Sequence, residues 1–261
     1  MTYDIILMLL LSGIVVGIIN TLAGGGSIIT MTIFMVLGLP ITVANGTNRI
    51  AVVLQNLAAS MTFIRKRMFN VRSGLLLSIP VIIGNIGGSF LATHINDTIF
   101  RICFGVVLFL ILLYMIFDNR KHFHAKESMQ IKPIHYFWFL LIGFYGGFIY
   151  IGLGYLILAI SLWTMKLDIV TANVLKGFVL CVAMPFSMVI FMIDGQVDYW
   201  FGLLHGAGNM IGAWLASHYF INWGGRFVKI FTMLIVLICF ADLVGIISLQ
   251  TIFSSMLTVC R

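Results

Sequence analysis

TLAGGGSIIT, residues 21–30, sets three glycines and a serine into a run that is otherwise apolar. A glycine inside a helix costs about 1 kcal/mol relative to alanine, so the stretch predicts a helix that breaks. What such a break can do depends on its surroundings. Of the 261 residues, 61% are hydrophobic and only 9% charged, with a mean hydropathy of +1.13. An ordinary soluble domain carries about 25% charged residues. The composition is that of an all-α, polytopic membrane protein lying almost wholly in the bilayer. It leaves no room for a soluble catalytic domain, and no enzyme activity is expected.

The net charge of +7 does not indicate nucleic acid. The cations concentrate in two short segments, RKRMFNVR (65–72) and NRKHFHAK (119–126), as expected of cytoplasmic loops. The four cysteines, at 103, 181, 239 and 260, are scattered and form neither a metal-binding pair nor a disulfide framework. His122 and His124, with His135, lack the further ligands a metal site needs; no metal or cofactor is expected.

The chain copies itself. GIVVG (13–17) matches GFYGG (143–147), ITVANGTN (41–48) matches IVTANVLK (169–176), and GNIGG (84–88) matches GNMIG (208–212), in the same order. Two repeats follow, 1–118 and 134–261, joined by a charged cytoplasmic linker at 119–133. Each opens with an apolar run of about 33 residues, at 5–37 and 134–166. As one helix that run would be about 50 Å long, against a hydrocarbon core of about 30 Å; it is too short for two full spans. A re-entrant hairpin of two half-helices with glycines at its tip fits best. Three spans are expected after each hairpin, at 49–64, 73–93 and 101–117, then at 174–193, 200–220 and 229–249.

Charge tests this topology. With both basic segments in the cytoplasm, the hairpin reading puts the loop bearing Asp194 and Asp198 outside and the loop bearing Arg226 inside. A single crossing for each 33-residue run reverses both placements, against the positive-inside rule. Three crossings per repeat make the two copies inverted, and inverted repeats with broken helices mark secondary transporters.

The breaks are candidate binding sites. Unwound backbone survives in lipid only inside protein or beside water, and N–H groups at the start of a half-helix attract anions. Gly24, Gly25, Gly26 and Ser27 are the candidates at the first tip, preceded by Asn20; Tyr150, Gly152 and Gly154 stand at the second. The competing reading of the glycines is a tight turn. The segment Asn45, Gly46, Thr47, Asn48, Arg49 supplies neutral donors and one cation, and Asn173 with Lys176 is its counterpart. A fixed guanidinium suits oxyanion recognition, while snorkelling is the alternative for Arg49 and cytoplasmic positivity for Lys176. Gln55 and Asn56 are further polar groups in the span at 49–64. Asp242 and His205 are the acid and the histidine inside predicted spans, candidates for proton coupling or for buried hydrogen bonding. Gly84, Gly88 and Ala92, like Gly208, Gly212 and Ala216, have the spacing of helix-packing surfaces.

Gly13, Gly17, Asn20 and Ala23 to Ser27, followed by Gly38 to Pro40 and Ala44 to Asn48, resemble the motifs of the sulfite exporter TauE/SafE family of membrane proteins. The duplicated layout is similar over essentially the whole chain. The resemblance implies a multi-pass protein of the inner cell membrane that exports a small sulfur-containing oxyanion such as sulfite or an organosulfonate. The second copy departs from the pattern, with YIGLGY (150–155) in place of a fuller glycine cluster and VLK (174–176) where a second GTN-like triplet often stands.

The expected function is therefore alternating-access transport of a small anion around the hairpin tips. An anion channel, or a transporter of another small anion such as a carboxylate, is the alternative. A membrane hydrolase using Ser27 with His205 is a third reading, for which the sequence supplies no orienting acid. The partners implied are the anion and the lipid bilayer; a homodimer is compatible with this architecture.

Overall fold

The computed structural model describes residues 3–22, 24–66, 70–117 and 131–220. The predicted span at 229–249, Asp242, Arg226, His122, His124 and most of the linker lie outside the described residues. Every described element is a helix: α1 (Tyr3–Leu22), α2 (Ser27–Val36), α3 (Ile41–Arg65), α4 (Val71–His94), α5 (Asp97–Phe117), α6 (Pro133–Phe148), α7 (Leu153–Trp163), α8 (Ile169–Ile193) and α9 (Tyr199–Leu215), the last continued by a π-helical turn, Ala216–Phe220. Among them, α1, α4 and α8 are long and apolar enough to cross a membrane.

Both glycine-bearing runs do break, into α1 and α2 and into α6 and α7. Their arms are unequal rather than matched halves: 20 and 10 residues in the first, 16 and 11 in the second. α2 turns back along α1. A side chain at Gly26 would run into Val16 and Asn20, and one imidazole, His205, reaches both Thr30 on α2 and Leu9 on α1. Gly24 (φ +90) and Gly152 (φ +69) supply the left-handed turns that make the two breaks.

The five described spans begin earlier than the sequence predicts, α3 and α8 by the most. α3 starts at Ile41 rather than 49, so ANGTN is helical and not a preceding loop. Local propensity misleads here because tertiary packing decides: the missing Cβ of Gly46 lets the carbonyl of Gln196 close onto the helix. α8 starts at Ile169 rather than 174 because the Asp168 carboxylate caps it, accepting from the N–H groups of Val170 and Thr171 at 2.9 and 3.0 Å.

The core is built from backbone-to-backbone contacts between small residues. A Cβ on Gly13 or Gly17 of α1 would collide with the carbonyls of His205 or Asn209 of α9, and one on Gly208 or Gly212 with those of Leu10 or Ile14. The same relation joins α4 and α6, where Gly84 and Gly88 oppose Leu140 and Phe144, and Gly143 and Gly147 oppose Val81 and Asn85. Glycine lets the axes approach and dispersion contacts then hold them. Residue pairs advance together along α1 and α9, and along α4 and α6. They also advance together along α3 and α9, where Thr47 meets Asp198 and Ala51 meets Gly206. On α4 and α8, Asn85 meets Ala183 and Ser89 meets Ser187. On α3 and α8 they run oppositely: Arg49 meets Met184, and Asn56 lies near Gly177. Thus α1, α3 and α9 point one way across the bundle, and α4, α6 and α8 the other.

Candidate functional site at two helix breaks

The two breaks meet. A Cβ built on Gly24 would stand 2.6 Å from Cα of Gly154, so the tips touch through backbone. Gly24, Gly25, Gly26, Ser27, Gly152 and Gly154 are all buried. Among the described residues, the N–H groups of Gly25, Gly26 and Ser27 have no backbone acceptor; hydrogen bonding resumes at Ile28 and Ile29, which donate to Gly25 and Gly26. Among the described residues no side chain caps α2 at Gly26.

Side chains from three helices close around the first tip. Asn20 Nδ2 donates to Ser27 Oγ at 3.3 Å and to Gln55 Oε1 of α3 at 3.0 Å. Lys176 on α8 donates from Nζ to the carbonyls of Asn20 and Thr21 at 2.9 and 3.1 Å and to Asn173 Oδ1 at 2.8 Å. The first two acceptors are the last carbonyls of α1, which carry the negative end of its dipole.

The second tip is held from α3. Arg49 is fully buried. Its Nη1 donates to Gly146 O at 2.6 Å, and its Nη2 to Gly147 O at 3.0 Å and Asn45 Oδ1 at 3.2 Å. Asn45 Nδ2 donates to Phe148 O at 3.0 Å. Three successive carbonyls at the end of α6 are thereby satisfied by one i, i+4 pair. The guanidinium lies 5.4 and 5.1 Å from the ring centroids of Tyr150 and Phe191, within cation–π range. Among the described residues no carboxylate neighbours Arg49. Its Nε and the Nδ2 of Asn48 are buried donors without an acceptor. Asn48 lies seven residues before Gln55, on the same face of α3, and Gln55 touches the first tip.

Two residues of the ANGTNR constellation serve another contact. Gly46 packs against Gln196, and Thr47 Oγ1 accepts from the Asp198 N–H at 2.9 Å; both face the start of α9. Gln55, a polar group inside the predicted span, reaches the first tip by accepting from Asn20. The signal that could have found it is its place near the middle of an otherwise apolar stretch.

His205 is buried on α9. Its Nδ1 is 3.1 Å from the Leu9 carbonyl and 3.3 Å from Ser12 Oγ, and its Nε2 is 3.0 Å from Thr30 Oγ1. A carbonyl only accepts, so Nδ1 carries the proton and Nε2 accepts from Thr30. Ser27 pairs with Asn20 and not with His205, which separates the two residues of the hydrolase reading. His135 accepts from the Lys132 N–H at 3.0 Å and caps α6.

The profile of the sulfite exporter TauE/SafE family matches residues 9–243. The chain belongs to the sulfite exporter TauE/SafE family. A relative from Haemophilus influenzae, called a probable membrane transporter protein, is 28% identical over 238 residues, covering 87% of this chain and 89% of the relative. Probable membrane transporter protein ORF9 of a Sinorhizobium species is 23% identical, with 88% of each chain covered. YunE of Bacillus subtilis, with the same description, is 23% identical over 80% of this chain and 85% of its own length. No solved structure matches. As a TauE/SafE protein this chain is a membrane transporter, and the family resemblance read from the first-repeat motif holds.

Proposed function

We propose that this protein is a secondary transporter that exports a small sulfur-containing oxyanion, such as sulfite or an organosulfonate, across the inner cell membrane. It works by alternating access between two inverted repeats. The observation that carries the reading is the buried Arg49 guanidinium, whose Nη atoms hold the end of α6 beside two touching helix breaks and whose Nε has no acceptor among the described residues. An unsatisfied buried donor costs about 1–3 kcal/mol, which a visiting oxyanion would offset; Asn48 Nδ2, on the next residue, is a second such donor. The N–H groups of Gly25, Gly26 and Ser27, without backbone acceptors among the described residues, extend the same donor-rich surface with Lys176, Asn173 and Asn20. Tyr150, Gly152 and Gly154 complete it from the second tip.

The opposed directions of α1 and α6, α3 and α8, and α4 and α9 support inversion of the repeats. The turn of α2 back along α1 supports re-entrant hairpins. Contact between Gly24 and Gly154 leaves the tips closed on one another, so transport requires them to part. His205 is the candidate coupling group among the described residues. The sulfur oxyanion and the outward direction rest on the family description.

The test is flux into and out of liposomes carrying the purified protein, with labelled sulfite, organosulfonates, sulfate and small carboxylates. Saturable counterflow of sulfite or a sulfonate is expected. Flux of a carboxylate alone would move the substrate class, unitary conductance would make the protein a channel, and silence across the panel would end the anion reading.

A further inference from the structure

The two buried cations occupy related places. Arg49 lies near the start of α3 in the first half of the chain, yet its donors go to Gly146 and Gly147 at the end of α6 in the second half. Lys176 lies near the start of α8 in the second half, yet its donors go to Asn20 and Thr21 at the end of α1 in the first. Each is steadied by an asparagine on its own helix, Asn45 four residues earlier and Asn173 three earlier. Both cations are buried. A buried ammonium or guanidinium bears a large desolvation cost, so each persists only where fixed dipoles answer it. Here the exposed C-terminal carbonyls of a broken helix supply about half a negative charge. Snorkelling accounts for neither residue, since neither head reaches the surface.

We propose that Arg49 and Lys176 are reciprocal latches. Each repeat's cation caps the C-terminus of the other repeat's broken helix, and an anion arriving at the tips draws the cation's donors off those carbonyls and frees the hairpin. The capping makes them positioning residues for the hairpins. The release step rests on the anion-transport reading; the capping does not. Charge-assisted hydrogen bonds to carbonyls are worth more than neutral ones, so an oxyanion is among the few ligands able to compete for them. Reciprocity also ties the tips together, because loosening one cation's own helix disturbs the hairpin in the opposite half.

Hydrogen–deuterium exchange on the full-length protein in nanodiscs tests this. With no anion present, Arg49→Gln should raise exchange at residues 145–153 by ~10-fold, as expected for losing charge-assisted bonds, and leave 18–28 near the wild-type rate. Lys176→Gln should do the reverse. Arg49→Lys, which keeps the charge with fewer donors, should fall between wild type and Arg49→Gln and serves if Arg49→Gln fails to fold. Equal loosening of both tips by either variant, or of neither, overturns the latch. Adding sulfite to the wild type should raise exchange at 145–153, and have no such effect in Arg49→Gln. Unchanged or slower exchange in the wild type overturns the release step. If the liposome assay finds no transported anion, the transport reading falls, while the anion-free exchange pattern still decides the capping.

Discussion

Gly24 and Gly154, from breaks more than a hundred residues apart in sequence, meet backbone to backbone in the buried interior. Neither position has room for a methyl group. Gly24 also has φ +90, which an L-residue adopts only at a cost of about 1–2 kcal/mol. Overpacking typically costs a further 1–3 kcal/mol, as an order of magnitude. Gly24→Ala should therefore be the more damaging of the two, and Gly154→Ala should fold with reduced flux. Thermal unfolding in detergent alongside liposome flux checks the order; wild-type stability and flux in Gly154→Ala, whose penalty is contact alone, would show that the tips part in the resting protein.

The interlocked stripes make a sharper contrast. Gly17→Ala and Gly147→Ala each drive a Cβ into a facing carbonyl, of Asn209 and of Asn85, and should abolish monodisperse protein on size exclusion. Gly87→Ala on α4 meets Phe144 only at 3.6 Å, an ordinary contact. It should leave the profile intact and raise stability by up to about 1 kcal/mol through helix propensity.

His205 joins α9 to α1 and α2. His205→Ala strands the Thr30 hydroxyl, at about 1–3 kcal/mol for a polar group buried without a partner, while the Leu9 carbonyl keeps the Ser12 hydroxyl as donor. Thr30→Val removes the donor to Nε2 and should cost about 1 kcal/mol. If His205 carries the coupling proton, His205→Gln should retain counterflow but lose accumulation driven by a pH gradient. Gradient-driven accumulation at the wild-type level would assign His205 to hydrogen bonding alone.

Asp168 gives a pH prediction outside the spans. Burial pulls its carboxyl upward, but hydrogen bonds from the Thr171 side chain and from the N–H groups of Thr171 and Val170 outweigh it, and the net shift is below the ordinary value. A depressed folded-state value means that the charged cap stabilises the protein above the unfolded carboxylate range. That contribution is lost as pH falls through the folded value. The melting-temperature gap between wild type and Asp168→Ala should be worth about 1 kcal/mol near neutrality and shrink on acidification. A gap that widens in acid would contradict the sign.

How much of this was legible beforehand differs by residue. The helix break at TLAGGGSIIT follows from glycine's backbone freedom, and the membrane class from composition; both are properties of the chain alone. The matched motifs at 13–17 and 143–147, 41–48 and 169–176, and 84–88 and 208–212 marked the residues that build the interior, because packing surfaces need small side chains wherever they lie. The helix start at Ile41 is not legible, since a loop from elsewhere decides it; the start at Ile169 carries a local signal in Asp168, a favoured N-cap residue.

Composition and glycine placement alone make this a helical membrane protein with two glycine-broken runs, and put a cation three or four residues after the asparagine of each Ala-Asn pair. Where those cations point is a property of the fold. A side chain's partners depend on which helix end is brought within about 3 Å of it, and that distance is set by the glycine contacts between α1 and α9 and between α4 and α6. Arg49 and Lys176 thus stand in one half of the chain and act on the other, a relation that no reading along a single strand of sequence contains.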